Sequence, residues 1–200
     1  MKKLWFALLL PLFLAACAVD PVSQNASPEE VARAAYRAGG PATLTLVTVI
    51  NNRSGQGGHT AVLVNAPSQR VIWDPAGSFR YAAAPEVGDV IYGVTDAVWE
   101  VYKDYHTRAS WDTVLQEIQV SPEVAEMALK AFQANGATPK ATCSVSTSRI
   151  LGQLPGFESI PVNWFPKKTM SAFGNLPGVK TQTIYDNDSD DNSAVLQTQI

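Results

Sequence analysis

Cys143 stands in the stretch KATCSVSTSRIL, directly after a threonine and at the head of a run with helical spacing. A thiol at a helix N-terminus meets the positive end of the helix dipole and backbone N–H groups that have no partner inside the helix. Both favour the thiolate, and the same N–H groups can hold an oxyanion. Such a nucleophile needs a base, and the chain offers two histidines, His59 and His106. His59 follows a glycine loop, GQGG, at the start of the β-prone run HTAVLVN, where small neighbours leave an imidazole approachable. Asp74 ends the next β-prone run, in VIWDPAG. If the two runs form a hairpin closing with Asn65 opposite Arg70, residue 61 faces residue 74, and His59 and Asp74 become diagonal neighbours on one face. The carboxylate could then orient the ring. Cys143, His59 and Asp74 would be the nucleophile, base and orienter of a cysteine hydrolase. The plainer alternatives are a packed thiol, a structural histidine and an Asx turn at Asp74 before Pro75. His106 reads as solvated at the end of a polar helix, and Tyr105 and Gln119 are further candidates for neighbours of the site.

These residues are useful only if the elements around them hold them together. Ser27-Pro28-Glu29-Glu30 combines an N-cap, a proline at the first helical position and a capping-box glutamate, predicting a helix from Pro28 to about Ala38, stopped by Gly39-Gly40. TLTLVTVI (43–50) predicts a buried strand, NNRSGQGG (51–58) a loop, and 59–65 with 70–74 the hairpin. APEVGDVIYGV adds another strand, and apolar positions 98, 101, 102 and 105 predict a helix over 95–106. A strand follows at 111–120, then a helix capped by Ser121 and running to about Ala134. With Thr142 as N-cap, positions 143, 147, 150, 151 and 154 share one helix face, so Cys143 faces inward. A short helix at 167–173 and a strand at 180–185 complete an α+β domain.

The acidic end, DNDSDD, offers Asp186, Asp188 and Asp190 as calcium ligands but fails the EF-hand pattern, with Asp191 where glycine is needed and Gln197 where glutamate is needed. No HExxH, GxSxG, Walker or dinucleotide-binding glycine pattern occurs, and the two cysteines and two histidines lack zinc-site spacing. No metal or cofactor is implied, and residues 186–200 read as a mobile acidic tail.

At the other end, Lys2 and Lys3 precede an apolar run, Leu4 to Leu14, and small residues lead to Cys17, the pattern of a secretory signal. The junction LAAC resembles a bacterial lipobox; on that reading residues 1–16 are removed, Cys17 carries fatty acyl chains such as palmitate, and 17–26 is a lipidated tether. Cleavage at an ordinary A-x-A site is the other reading. Ala18 after the cysteine resembles lipoproteins sent to the outer membrane, which places the protein in the bacterial cell envelope, on the periplasmic face, with the membrane as partner. Loss of Lys2 and Lys3 leaves 13 basic against 18 acidic side chains, a formal charge of about −5, which argues against a nucleic-acid partner. With Cys17 acylated, Cys143 has no intrachain partner in an oxidising compartment, so it is buried, paired between chains, or reactive.

GGHTAVLV, VIWDPAG and TCSVSTSRIL, in that order over residues 43 to 155, resemble the circularly permuted branch of the NlpC-type papain-like superfamily, the group of lecithin retinol acyltransferase-like and YiiX-like proteins. The resemblance implies a papain-like domain over 27–185, an antiparallel sheet with the cysteine helix packed on it. It also implies Cys143 as nucleophile, His59 as base and Asp74 as the third polar residue. The expected activity is a membrane-anchored hydrolase of an envelope amide or ester, for instance a peptidoglycan stem peptide. The alternatives are a lipid acyltransferase or thioesterase of the same fold, and a non-catalytic binding module.

Overall fold

The computed structural model describes residues 25–200. The expected signal segment 1–16, the expected acylation site Cys17 and most of the expected tether 17–26 lie outside the described residues. Among those described, no helix is long and apolar enough to cross a membrane.

The chain forms an α+β domain whose elements run α1 (Pro28–Ala34), β1 (Thr43–Asn51), β2 (Gly57–Asn65), β3 (Arg70–Trp73), β4 (Glu86–Val87), β5 (Val90–Ile91), α2 (Asp96–His106), β6 (Trp111–Gln119), α3 (Pro122–Asn135), α4 (Cys143–Leu151), α5 (Pro166–Gly174) and β7 (Lys180–Ile184). All the strand pairings are antiparallel, in one sheet of order β4-β5-β3-β2-β1-β6-β7. The hairpin closes with Asn65 opposite Arg70, the pairing on which the shared face of His59 and Asp74 depended.

Alternation along the strands divides the core in two. Leu44, Leu46, Val62, Val64 and Trp73 face α3, α4 and α5 and pack with Phe132, Leu151 and Phe173. Val47, Ala61, Leu63 and Ile72 face α2 and pack with Phe79, Val98, Tyr102 and Tyr105. Burial of a side chain such as Leu44 or Phe132 is worth about 1.5–3 kcal/mol, and these two layers hold the sheet between helices.

Helix α1 begins with the predicted capping box: Glu30 N–H donates to Ser27 Oγ at 3.2 Å and Ser27 N–H to Glu30 Oε2 at 2.7 Å. It ends at Ala34 rather than Ala38, because the chain turns extended at Ala35 and the Tyr36 carbonyl accepts from Arg70 N–H at 2.8 Å. The sequence reads residues 186–200 as a mobile tail, whereas in the structure this segment lies against the body. Val195 is buried in the α2-side core, Tyr81 Oη donates to the Thr198 carbonyl at 2.6 Å, and Asn192 Nδ2 donates to the Tyr105 carbonyl at 3.0 Å. The reason is local: one apolar patch, AVL at 194–196, interrupts the acidic run and finds a place beside α2.

Candidate active site

His59 and Ala61 point to the α2 side of β2, as do Ile72 and Asp74 at the end of β3. The two-residue period brings His59 Nε2 to 2.6 Å from Asp74 Oδ1. The carboxylate is buried, and Tyr102 Oη from α2 donates to the same oxygen at 2.9 Å. Asp74 Oδ2 packs against Gly77, where a Cβ would stand 1.9 Å away, so this position admits no side chain while the carboxylate keeps its place. Two further glycines allow close packing: a Cβ on Gly57 would meet Pro166 at 2.6 Å, and one on Gly58 would meet the Trp111 ring at 2.5 Å. The glycine loop therefore lets neighbouring groups close around His59, whose side chain is only 17% exposed, more than it opens the ring to solvent.

Beyond Val62, β2 has no β3 partner, because β3 stops at Trp73. The Cys143 thiol lies there beside His59, and the backbones of Thr60 and, at its own helix, Ser144 act on it electrostatically. Since Asp74 occupies Nε2, Nδ1 is the ring nitrogen left for the thiol. Helix α4 is fastened to the sheet by Trp73 Nε1 donating to Thr147 Oγ1 at 3.1 Å, and to α5 by Ser144 Oγ against Thr169 Oγ1 at 2.9 Å. Thr142 precedes the helix, as its sequence position predicts. Its hydroxyl donates back to the Pro139 carbonyl at 2.6 Å, so no side chain caps the first-turn N–H groups.

A second aspartate, Asp89, ties the two halves of the site together. Its carboxylate accepts from Ala76 N–H at 2.9 Å, just after Asp74, and from Thr138 N–H at 2.7 Å and Thr138 Oγ1, in the segment that leads to Cys143. Its carbonyl accepts from Asp74 N–H at 2.8 Å. Asp89 itself has a left-handed backbone, φ 65°. Its place after a glycine in EVGDV marks a turn in the sequence and nothing more; the role depends on a contact 49 residues away.

Burial alone would push the His59 imidazole down, but the Asp74 charge, its hydrogen bond and the Cys143 thiolate outweigh it and raise the pKa to about 10. Burial would raise Asp74, yet His59, His106 and the Tyr102 hydroxyl hold it down at about 2. For Cys143 burial again opposes ionisation, and the His59 hydrogen bond and charge with the two backbone donors lower the thiol below its ordinary range. All three shifts favour a thiolate beside an imidazolium.

His106 is not solvated as its sequence position suggests. Its ring stacks on His59 with centroids 5.8 Å apart and planes 9° from parallel, and packs 4.3 Å from the Tyr102 ring. Its Nδ1 donates to the Tyr102 carbonyl at 2.9 Å, and burial with the neighbouring His59 charge lowers its pKa to about 4. The reason is helical spacing: His106 lies four residues after Tyr102, on the same stripe that faces the sheet. A cavity of about 200 Å³ opens beside the two rings, lined by Ser78, Tyr105, Trp111 and, from the tail, Asn192. Tyr105 thus borders the site, its hydroxyl 3.0 Å from Ser78 Oγ. Gln119 does not: it pairs with Thr43 at the far end of β6. A larger cavity of about 440 Å³, between Arg80, Glu86 and Ala26, touches none of the candidate residues.

His59, Asp74 and His106 each bring one ligand atom to within 4.8 Å of the others. A metal ion there would have to open the 2.6 Å contact between His59 and Asp74. No protein-family model, curated protein or solved structure matches this chain.

Proposed function

We propose that the protein is a cysteine hydrolase of an amide or ester carbonyl. The observation that carries this reading is the Cys143 thiol at the head of α4 beside the His59 ring, whose Nε2 meets the buried Asp74 carboxylate at 2.6 Å. The Cys143 thiolate attacks the carbonyl carbon, and the carbonyl π pair moves to oxygen, where the uncapped N–H groups at the start of α4 accept the negative charge. The His59 imidazolium gives its proton to the leaving amine or alcohol as the carbon–heteroatom bond breaks. The now neutral ring takes a proton from water, the hydroxide attacks the thioester, and the thiol leaves as thiolate with the imidazolium restored. Asp74 holds the ring's orientation and balances its charge throughout.

On this reading the fold is the permuted papain-like arrangement, with base, orienter and nucleophile in the chain order His59, Asp74, Cys143. The N-terminal signal and Cys17 would anchor it at the periplasmic face of the outer membrane. There an amide of the envelope, such as a peptidoglycan stem peptide, is the favoured substrate class.

The test is the rate of Cys143 alkylation by iodoacetamide against pH, compared with His59→Ala. A thiolate that persists well below pH 8.5 and is lost with His59 supports the pair and justifies screening amides and esters. A thiol protected until the protein unfolds, with or without His59, would leave a non-catalytic binding module.

A further inference from the structure

We propose that the segment PVNWFPKK, residues 161–168, docks the protein on an anionic phospholipid surface. This inference goes beyond the hydrolase reading and does not depend on it. Val162, Trp164 and Phe165 are 57, 60 and 59% exposed, three large apolar side chains within four residues. Elsewhere among the described residues, the exposed large apolar side chains Met127, Tyr185 and Ile200 stand singly. Scattered exposed apolar residues are ordinary; clustered ones mark a contact surface.

Charge identifies the partner. The segment 161–168 carries Lys167 and Lys168 and no acidic residue, although the whole protein is acidic. Lys168 Nζ lies 5.1 Å from the centroid of the Phe165 ring, so aromatic and ammonium groups project together. Aromatic side chains at headgroup depth with lysines beside them are the composition of an interfacial anchor, and an acidic peptide would not call for so much exposed aromatic surface.

The segment is also already ordered. Asn163 N–H donates to Ser148 Oγ of the cysteine helix at 3.1 Å, Asn163 Nδ2 donates to Thr169 Oγ1 at 3.1 Å, and Phe165 N–H donates to Asn163 Oδ1 at 2.9 Å. Pro166 begins α5 against Gly57, two residues before His59. Docking therefore costs little loop entropy. It would bring the membrane surface to the α4–α5 side of the candidate site.

The test uses the full-length chain in vesicles of phosphatidylethanolamine and phosphatidylglycerol with brominated acyl chains. Trp164 emission is obtained as the difference between the wild type and Trp164→Phe, which cancels the other four tryptophans. Bromine should quench Trp164, and the double variant Lys167→Glu, Lys168→Glu should relieve that quenching. Each lysine is worth about fivefold in affinity for such a surface. Trp164 emission that ignores the bromine would overturn docking, and equal quenching in purely phosphatidylcholine vesicles would overturn the anionic assignment. Cys143→Ala should quench like the wild type, so failure of the hydrolase reading leaves this result untouched.

Discussion

His59 and Asp74 come from different strands, yet their side chains meet at 2.6 Å with the carboxylate buried and the imidazole almost covered. A buried carboxylate in such contact determines how readily its partner carries a proton. Asp74→Asn preserves shape and removes the charge. His59 should fall from about 10 toward 6.5, and Cys143, losing imidazolium support, should rise. Iodoacetamide alkylation at pH 6 should drop by about tenfold or more, a pKa unit being a factor of ten. An unchanged pH profile would mean that Asp74 does not act through His59.

Gly77 is needed for the same carboxylate. In Gly77→Ala the new methyl would stand 1.9 Å from Asp74 Oδ2, so the carboxylate must shift. Overpacking of this kind costs about 1–3 kcal/mol, and urea unfolding should show it. The thiol profile should move in the same direction as in Asp74→Asn. Wild-type stability together with a wild-type profile would contradict this packing.

His106 carries a pH dependence whose sign is determined by its burial. Its folded pKa is about 4 against 6.5 for the free residue, so between those values the unfolded chain binds a proton that the folded one refuses. Stability should therefore decline as pH falls from 6.5 to 4, with about 2–3 kcal/mol of the decline owed to His106. His106→Gln should flatten that part of the curve. Urea unfolding of both proteins at pH 7, 5.5 and 4.5 isolates the contribution, because the other titrating groups are shared; parallel curves would refute it.

Val195 tests the docked tail. It is 8% exposed and packs into the α2-side core. Val195→Ala should destabilise by about 1–2 kcal/mol, between the loss of one methyl and a leucine truncation. A neutral substitution, measured by thermal unfolding, would show that the tail contributes nothing in solution.

The sequence by itself was enough for most of the order of strands and helices, though APEVGDVIYGV holds two short strands, β4 and β5, rather than one. Given a turn closing with Asn65 opposite Arg70, it was also enough for the placing of His59 and Asp74 on one face. These follow from two-residue alternation and turn chemistry, which act between near neighbours. It also sufficed to put Cys143 at the head of a helix. The tertiary structure alone decided what covers each face. Tyr102 reaching Asp74, His106 stacked on His59, Asp89 bridging to Thr138 and Val195 held against α2 all join positions that no local period relates. Periodicity says which side of an element is apolar; which other element fills that side depends on packing the whole chain, and there the site acquires its burial and its charge balance.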